Sequence, residues 1–192
     1  MKKLVKISLF ISLLLVIDQI IKILVKINMP LNSSIHIFDW FQIHFIENNG
    51  MAFGMSFGSK TILTLFRLIV SGLVLYYIIL LIRDNYKTSY LICVSLIFAG
   101  AIGNIIDSLF YGIIFGESTF LNGRVVDMFY FPLFTFPNWV PFLGGEIFFS
   151  PVFNFADSCV TVGIFMLIIF FRKDFNITFE RYYGNGKTVN SE

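Results

Sequence analysis

Charge is scarce in this 192-residue sequence: 14% of the residues are Asp, Glu, Lys or Arg, against 57% that are hydrophobic. A soluble domain carries about 25% charged residues. The shortage excludes a pair of soluble domains and reads as one compact integral membrane protein. Cysteine is nearly absent. The two present, Cys93 and Cys159, lie inside apolar runs, which excludes a disulfide framework and reads as small buried hydrophobes. Histidine is as rare, with His36 and His44 in a different segment from either cysteine. No CxxC or HxxxH spacing occurs, so Cys–His catalysis and a metal site have little support. The net charge of +2 offers no strongly basic surface, and no nucleic-acid partner is expected. Internal repeats are also missing.

What the sequence has is long apolar runs. A spanning helix needs about 20 apolar residues, and four stretches qualify: about 4–27, 61–82, 89–115 and 153–171. The expected fold is an all-α membrane protein with four transmembrane helices. The start, MKKLVKISLFISLLLVI, resembles a secretory signal peptide, but no small-x-small cleavage site follows, so it reads as an uncleaved first helix. Lys2, Lys3, Lys6, Arg83, Lys87, Arg172, Lys173, Arg181 and Lys187 fall on one side of these spans, and Lys60 and Arg124 on the other. The positive-inside rule makes the first side cytoplasmic, with both termini inside. The connections at about 28–60 and 116–152 then face outward.

The outer connections are more than linkers. Ser33–Gly54 alternates partially and carries an NNG turn at Asn48–Gly50, which predicts short strands. Phe129–Pro151 holds four prolines and many aromatics. Proline excludes a regular helix there, and the aromatics predict a segment resting at the membrane interface. Residues 174–192 read as a polar, loosely ordered cytoplasmic tail.

The few polar residues within the spans gather toward one membrane face. Asp18 and Lys22 are four apart on the first helix and able to pair; a local ion pair and a functional role remain equally open. Lys26 lies near the outer end, where it can snorkel. Asn104 and Asp107 share a face of the third helix, beside Gly100, Ala101 and Gly103, which admit a close neighbour. Arg124 and Asp127 stand at or beyond the outer boundary. Asn154 and Asp157 begin the fourth helix, with Asp157 roughly 6–9 Å along the axis at about 1.5 Å per residue. Two carboxylates at close range in low dielectric cannot both ionise; they share a proton. If Asp127 and Asp157 approach each other, one is a base for water and the other an acid for a carbonyl or leaving amine. The amides of Asn104 and Asn154 are placed to orient them. Competing readings are an ion or proton relay through Asp18, Lys22, Asp107 and Asp157, and a scaffold whose polar groups only join helices. The missing repeat and the clustering at one face speak against transport.

DQIIK (Asp18–Lys22), NNGMAFG (Asn48–Gly54), GNIID (Gly103–Asp107), GRVVDM (Gly123–Met128) and FNFADS (Phe153–Ser158), in that order, resemble the motif set of the lipoprotein signal peptidases, or signal peptidase II. The resemblance spans about residues 10–170. It implies a membrane aspartic protease that removes prolipoprotein signal peptides by cutting before a diacylglyceryl-modified cysteine. It implies Asp127 and Asp157 as the catalytic pair. Supporting or substrate-contacting roles fall to Asp18, Lys22, Asn48, Gly50, Asn104, Asp107, Asn154 and Ala156. It further implies a four-helix bundle with a small extracytoplasmic β-cradle in one domain over residues 1–173, no metal or organic cofactor, contact with membrane lipid and inhibition by globomycin-type peptides. The expected location is the bacterial inner membrane, with the active site near the outer face. Two features depart from the family pattern. Ser108 stands where an arginine usually follows GNxxD, leaving that role lost or supplied from elsewhere, for instance by Arg124. The chain between Asp127 and Asp157 is also longer than usual, room for a lid or a membrane-contacting loop.

Overall fold

The computed structural model describes residues 2–49 and 60–184. Helices α1 (Lys2–Asn28), α2 (Lys60–Arg83) and α3 (Thr88–Ile106) are long apolar rods. At Asp107, α3 widens into a π-helical turn, Asp107–Tyr111, and closes as the short α4 (Gly112–Ile114). Helix α5 (Phe155–Phe170) bends by 92° into α6 (Arg172–Tyr183). Among the described residues three helices are long and apolar enough to cross a membrane, and a fourth if the bent α5–α6 pair counts as one span. Their outward faces are apolar and bare, as at Leu9, Leu13, Ile69 and Phe165, which suits lipid and not water.

Helix α3 is the hub, packing on α1, α2 and α5. Its closest neighbour is α5, and small residues make that approach possible. A Cβ added to Gly163 of α5 would lie 2.6 Å from Ile97 Cγ1 and 3.1 Å from the Cys93 carbonyl oxygen. From the other side, a Cβ on Gly100 would strike the Ala156 carbonyl and the Val160 side chain. The two helices thus meet backbone to backbone, and the Cys93 thiol donates to the Gly163 carbonyl at 3.2 Å.

The bundle has two distinct ends. At one, a core of Ile7, Tyr77, Ile78, Leu81, Tyr90 and Leu91 surrounds a buried hydroxyl chain in which Tyr77 bonds Tyr90 at 2.6 Å and also Thr178. Thr178 belongs to α6, so the segment after Lys173 is not a loose tail as far as Tyr183. It is a helix docked by Phe175, Thr178 and Tyr182, apolar anchors that its many charged residues hide from a composition-based reading.

At the other end sits a four-stranded antiparallel sheet in the order β1-β2-β3-β6, built from Ser34–Phe38, Phe41–Asn48, Val125–Tyr130 and Val152–Phe153. Phe45, Tyr111, Val126 and Met128 seat it on the helices. The proline-rich stretch between β3 and β6 forms a small hairpin of β4 (Phe134–Thr135) and β5 (Ile147–Phe148).

Gly163→Val should separate α3 from α5 and destabilise the protein by about 1–3 kcal/mol, read as a lower thermal midpoint in detergent. Gly72→Ala, where an added Cβ meets nothing within 4 Å, should leave the midpoint unchanged or raise it.

Candidate active site

The first turn of α5 explains why an amide and an acid stand three residues apart. Asn154 is extended (φ −123°, ψ −178°) and caps the helix: its side-chain oxygen accepts the Asp157 amide at 2.9 Å, and the Asp157 carboxylate accepts the Asn154 amide at 3.2 Å. This reciprocal capping box satisfies two of the orphan donors that start any helix. It leaves the Asn154 amide nitrogen Nδ2 free to point away, with two protons to give.

One of those protons goes to Asp127 Oδ1 at 2.6 Å, the other to Asn104 Oδ1 at 3.1 Å. Asn104 in turn donates to Asp157 Oδ1 at 2.8 Å, and Asn48 donates to Asp127 Oδ2 at 3.2 Å. Asp127 lies on β3, between β2 and β6, and is 2% exposed; Asp157 is half-buried. Three amides therefore gather two carboxylates from a strand and a helix into one cluster. Burial, and then the Asp157 charge, pushes the Asp127 carboxyl up to about 7, against the pull of its Asn48 and Asn154 hydrogen bonds.

Beneath this cluster lies a second, fully buried one. Lys22 Nζ contacts Asp18 at 3.0 Å, Asp107 at 2.9 Å and Asn104 Oδ1 at 2.9 Å, with no exposed surface of its own. Gln19 donates to Asp18 at 3.1 Å and Asp107 at 3.0 Å, and the Tyr111 hydroxyl donates to Gln19 at 3.1 Å. Both carboxylates also reach main chain: the Val126 amide donates to Asp107 Oδ2, the oxygen that Lys22 contacts, at 3.3 Å, and the Ala156 amide donates to Asp18 Oδ1 at 2.9 Å. Val126 immediately precedes Asp127, and Ala156 immediately precedes Asp157. Gly103 makes the room, since a Cβ there would lie 2.6 Å from Asp18 Oδ2.

The residues singled out in the sequence thus come together: Asp18, Lys22, Asn48, Asn104, Asp107, Asp127, Asn154, Ala156 and Asp157 form two contiguous layers. Gly50 lies outside the described residues. Lys26 does more than snorkel. It pairs with Glu47 and, at 2.8 Å, with Glu117, while Arg124 pairs with Glu47 at 3.1 Å. Burial opposes the Glu47 charge, yet Lys26 and Arg124 together hold its carboxyl below the usual range. Arg124 belongs to this outer network, and the Ser108 hydroxyl bonds its own helix at the Asn104 carbonyl, 3.0 Å away.

One cation escaped the sequence reading. Arg67 lies within the electrostatic reach of both Asp157 and Asp127. It is the one charged residue inside α2 between Lys60 and Arg83, and an arginine within an apolar span is the signal that could have found it. Thr64 and Ser71, on the same stripe of α2, are buried. The Thr64 hydroxyl bonds the Leu121 carbonyl at 3.3 Å and Lys60 bonds the Asn122 carbonyl at 2.9 Å. That stripe is thereby fastened to the segment leading into β3.

Lys22→Met leaves Asp18 and Asp107 buried without their cation and should cost about 3–5 kcal/mol of stability. Thermal unfolding in detergent would measure it, and adding Asp107→Asn to the same chain should recover part of the loss.

Comparison with known proteins follows the same residues. The profile of the family described as Signal peptidase (SPase) II matches residues 10–173. A protein named lipoprotein signal peptidase from Porphyromonas gingivalis is 48% identical, covering 95% of this chain and 90% of its own. One of the same name from Amoebophilus asiaticus is 35% identical over 82% of this chain and 73% of its own. A solved structure titled as a bacterial membrane enzyme, determined by the in meso method, superposes with a TM-score of 0.63 at 27% identity, covering 88% of this chain and 94% of that one. With the family profile matched over residues 10–173 and a relative 48% identical over 90% of its own length, the chain belongs to the signal peptidase II family of peptidases.

Proposed function

We propose that the protein removes signal peptides from prolipoproteins, cutting before a diacylglyceryl-modified cysteine, with Asp127 and Asp157 as its catalytic pair. The observation that carries this reading is the double grip of Asn154, which bonds Asp127 through its side chain and Asp157 through its backbone. The names of the relatives supply the substrate class. Asp127, the more buried acid, carries the shared proton at rest; Asp157, the more open one, is the base. Asp157 takes a proton from a water whose oxygen attacks the scissile carbonyl carbon, while Asp127 gives its proton to the carbonyl oxygen. The tetrahedral intermediate then collapses. Asp157 hands its proton to the leaving nitrogen as the C–N bond breaks, and Asp127 recovers a proton from the hydroxyl that becomes the new acid. No covalent intermediate forms.

Around the pair, Asn48, Asn104 and Asn154 hold the carboxylates, and Asp18, Lys22, Asp107 and Ala156 fix the backbones that carry them. Gly50 belongs to the same motif as Asn48 and is assigned to substrate contact. Arg67 supplies positive charge that favours the ionised member of the pair. Four spans cross the inner membrane of a bacterium, α5 being the fourth. The sheet forms an extracytoplasmic cradle, and both termini are cytoplasmic, as the Lys/Arg asymmetry requires. Residues 1–173 make one protease domain; the rest of the chain lies on the cytoplasmic side. The lipidated substrate enters sideways from the membrane, and a globomycin-type peptide would compete for the same place. A relay across the membrane finds less support, since the polar layers lie at the sheet end while the Tyr77–Tyr90–Thr178 chain lies at the other.

Asp127→Asn and Asp157→Asn should each lose about 10²–10⁴-fold in turnover of a diacylglyceryl-modified prolipoprotein, with thermal midpoints close to wild type; near-normal turnover by either would remove that acid from the pair. Because Asp127 must be protonated to act, kcat/KM should fall as pH rises through about 7. Arg67→Gln removes the positive charge near the pair and should lower kcat/KM, whereas Arg67→Lys should retain most of it.

A further inference from the structure

The hairpin between β3 and β6 has a surface that the proteolytic reading does not use. Residues 131–151 contain no lysine or arginine and one acid, Glu146. Trp139 is 81% exposed and Phe142 fully so, and Leu143, Phe134 and Phe148 are bare as well. Large aromatics in water are costly, and a loop that presents several of them together marks a contact surface.

The hairpin is nonetheless ordered by its own bonds. Phe134 stacks on Phe148 with ring centroids 4.8 Å apart. The Phe136 amide donates to the Glu146 carbonyl at 2.9 Å and the Gly145 amide donates back to the Phe136 carbonyl at 2.9 Å. Within the tip, Val140 donates to the Pro137 carbonyl at 3.0 Å, Gly144 to the Val140 carbonyl at 3.0 Å and Glu146 to the Leu143 carbonyl at 2.9 Å. Pro137 and Pro141 bring no amide donor at all. Each of these bonds lowers the cost of moving the loop out of water, while the amides of Asn138, Trp139, Phe142 and Leu143 take no part in them and favour a shallow position among the headgroups. Phe142 is also held at φ +65°, a left-handed conformation that a bulky residue seldom adopts, and its ring points clear of the protein.

The location of the hairpin says what covers it. Its first arm leaves the sheet at Phe131, which stacks on Trp40 and Phe153. Its second arm returns through Val152 to Asn154, the cap of α5. The base therefore adjoins the first turn of α5, whose outward residues Val162, Phe165, Ile168 and Ile169 are exposed and apolar. We propose that this hairpin is a lipid-docking element whose tip, residues 138–144, enters the bilayer leaflet at the sheet end of the bundle. Trp139 lies at headgroup depth, where indole is favoured, and Phe142 lies below it.

The sequence contains two tryptophans, so Trp40→Phe makes Trp139 the sole indole reporter. The protein is reconstituted into phosphatidylcholine vesicles with acyl chains either unmodified or brominated close to the headgroup. Trp139 should lose about half of its emission or more in the brominated vesicles and should resist quenching by aqueous acrylamide. Equal emission in both vesicles together with strong acrylamide quenching would overturn the proposal, leaving a lid in water. So would shielding from both quenchers that disappears on dilution of the protein in the bilayer, which would mean that a second copy covers the tip. Should Trp40→Phe fail to fold, a bimane dye on Phe142→Cys gives the same readout, because Cys93 and Cys159 are buried; blue-shifted emission supports the proposal and water-like emission refutes it. Neither measurement involves peptide cleavage, so the result is independent of the assignment of Asp127 and Asp157.

Discussion

Everything at the sheet end of this protein depends on one buried ammonium group. Lys22 has no exposed surface and two carboxylates within salt-bridge distance. In an apolar bundle, burying Asp18 and Asp107 without this cation would be costly. Their value lies in what else their oxygens do, which is to hold the main chain immediately before Asp127 and immediately before Asp157. A charge on α1 thereby sets the relative position of a strand and a helix that are far from it in sequence. Lys22 also contacts Asn104, which reaches Asp157 directly, so the lower layer positions the upper one through side chain as well as backbone.

The upper layer achieves economy in a different way. The capping box that begins α5 is ordinary helix chemistry, yet its acid is half of the proposed pair, and its amide, having capped the helix, still has two protons to give. Local folding and site geometry are the same bonds here. The N-terminus of α5 also favours an acidic residue within its first turn, the place Asp157 occupies. The aromatic and hydroxyl cluster at the opposite end joins α2, α3 and α6 and contributes no group to either layer.

Much of this architecture was legible in the sequence because apolar length and motif order are local properties. The boundaries of α1, α2 and α3 follow the apolar runs, and the described polar residues of the five motifs meet at the sheet end. What escaped has a physical reason in each case. The partners of Lys26 are Glu47 and Glu117, on separate elements, so no spacing rule could pair them. Arg67 is a single residue with no motif around it, and its relation to the acids exists only once α2 is fastened to the segment leading into β3. The docking of α6 turns on Thr178, a residue whose burial against Tyr77 depends on the 92° bend at Phe171. Composition around that bend reads as a polar tail.

The pairing of β3 with β6 has a consequence of another kind. Phe129 faces Phe153 and Tyr130 faces Val152, so the two strand ends are zipped together and the chain between them closes a loop whose base is fixed. The entropy of such a closure changes only slowly with loop length. This stretch is therefore a natural point of modularity, where chain can be added, removed or exchanged for a foreign element while Asp127 and Asp157 keep their separation.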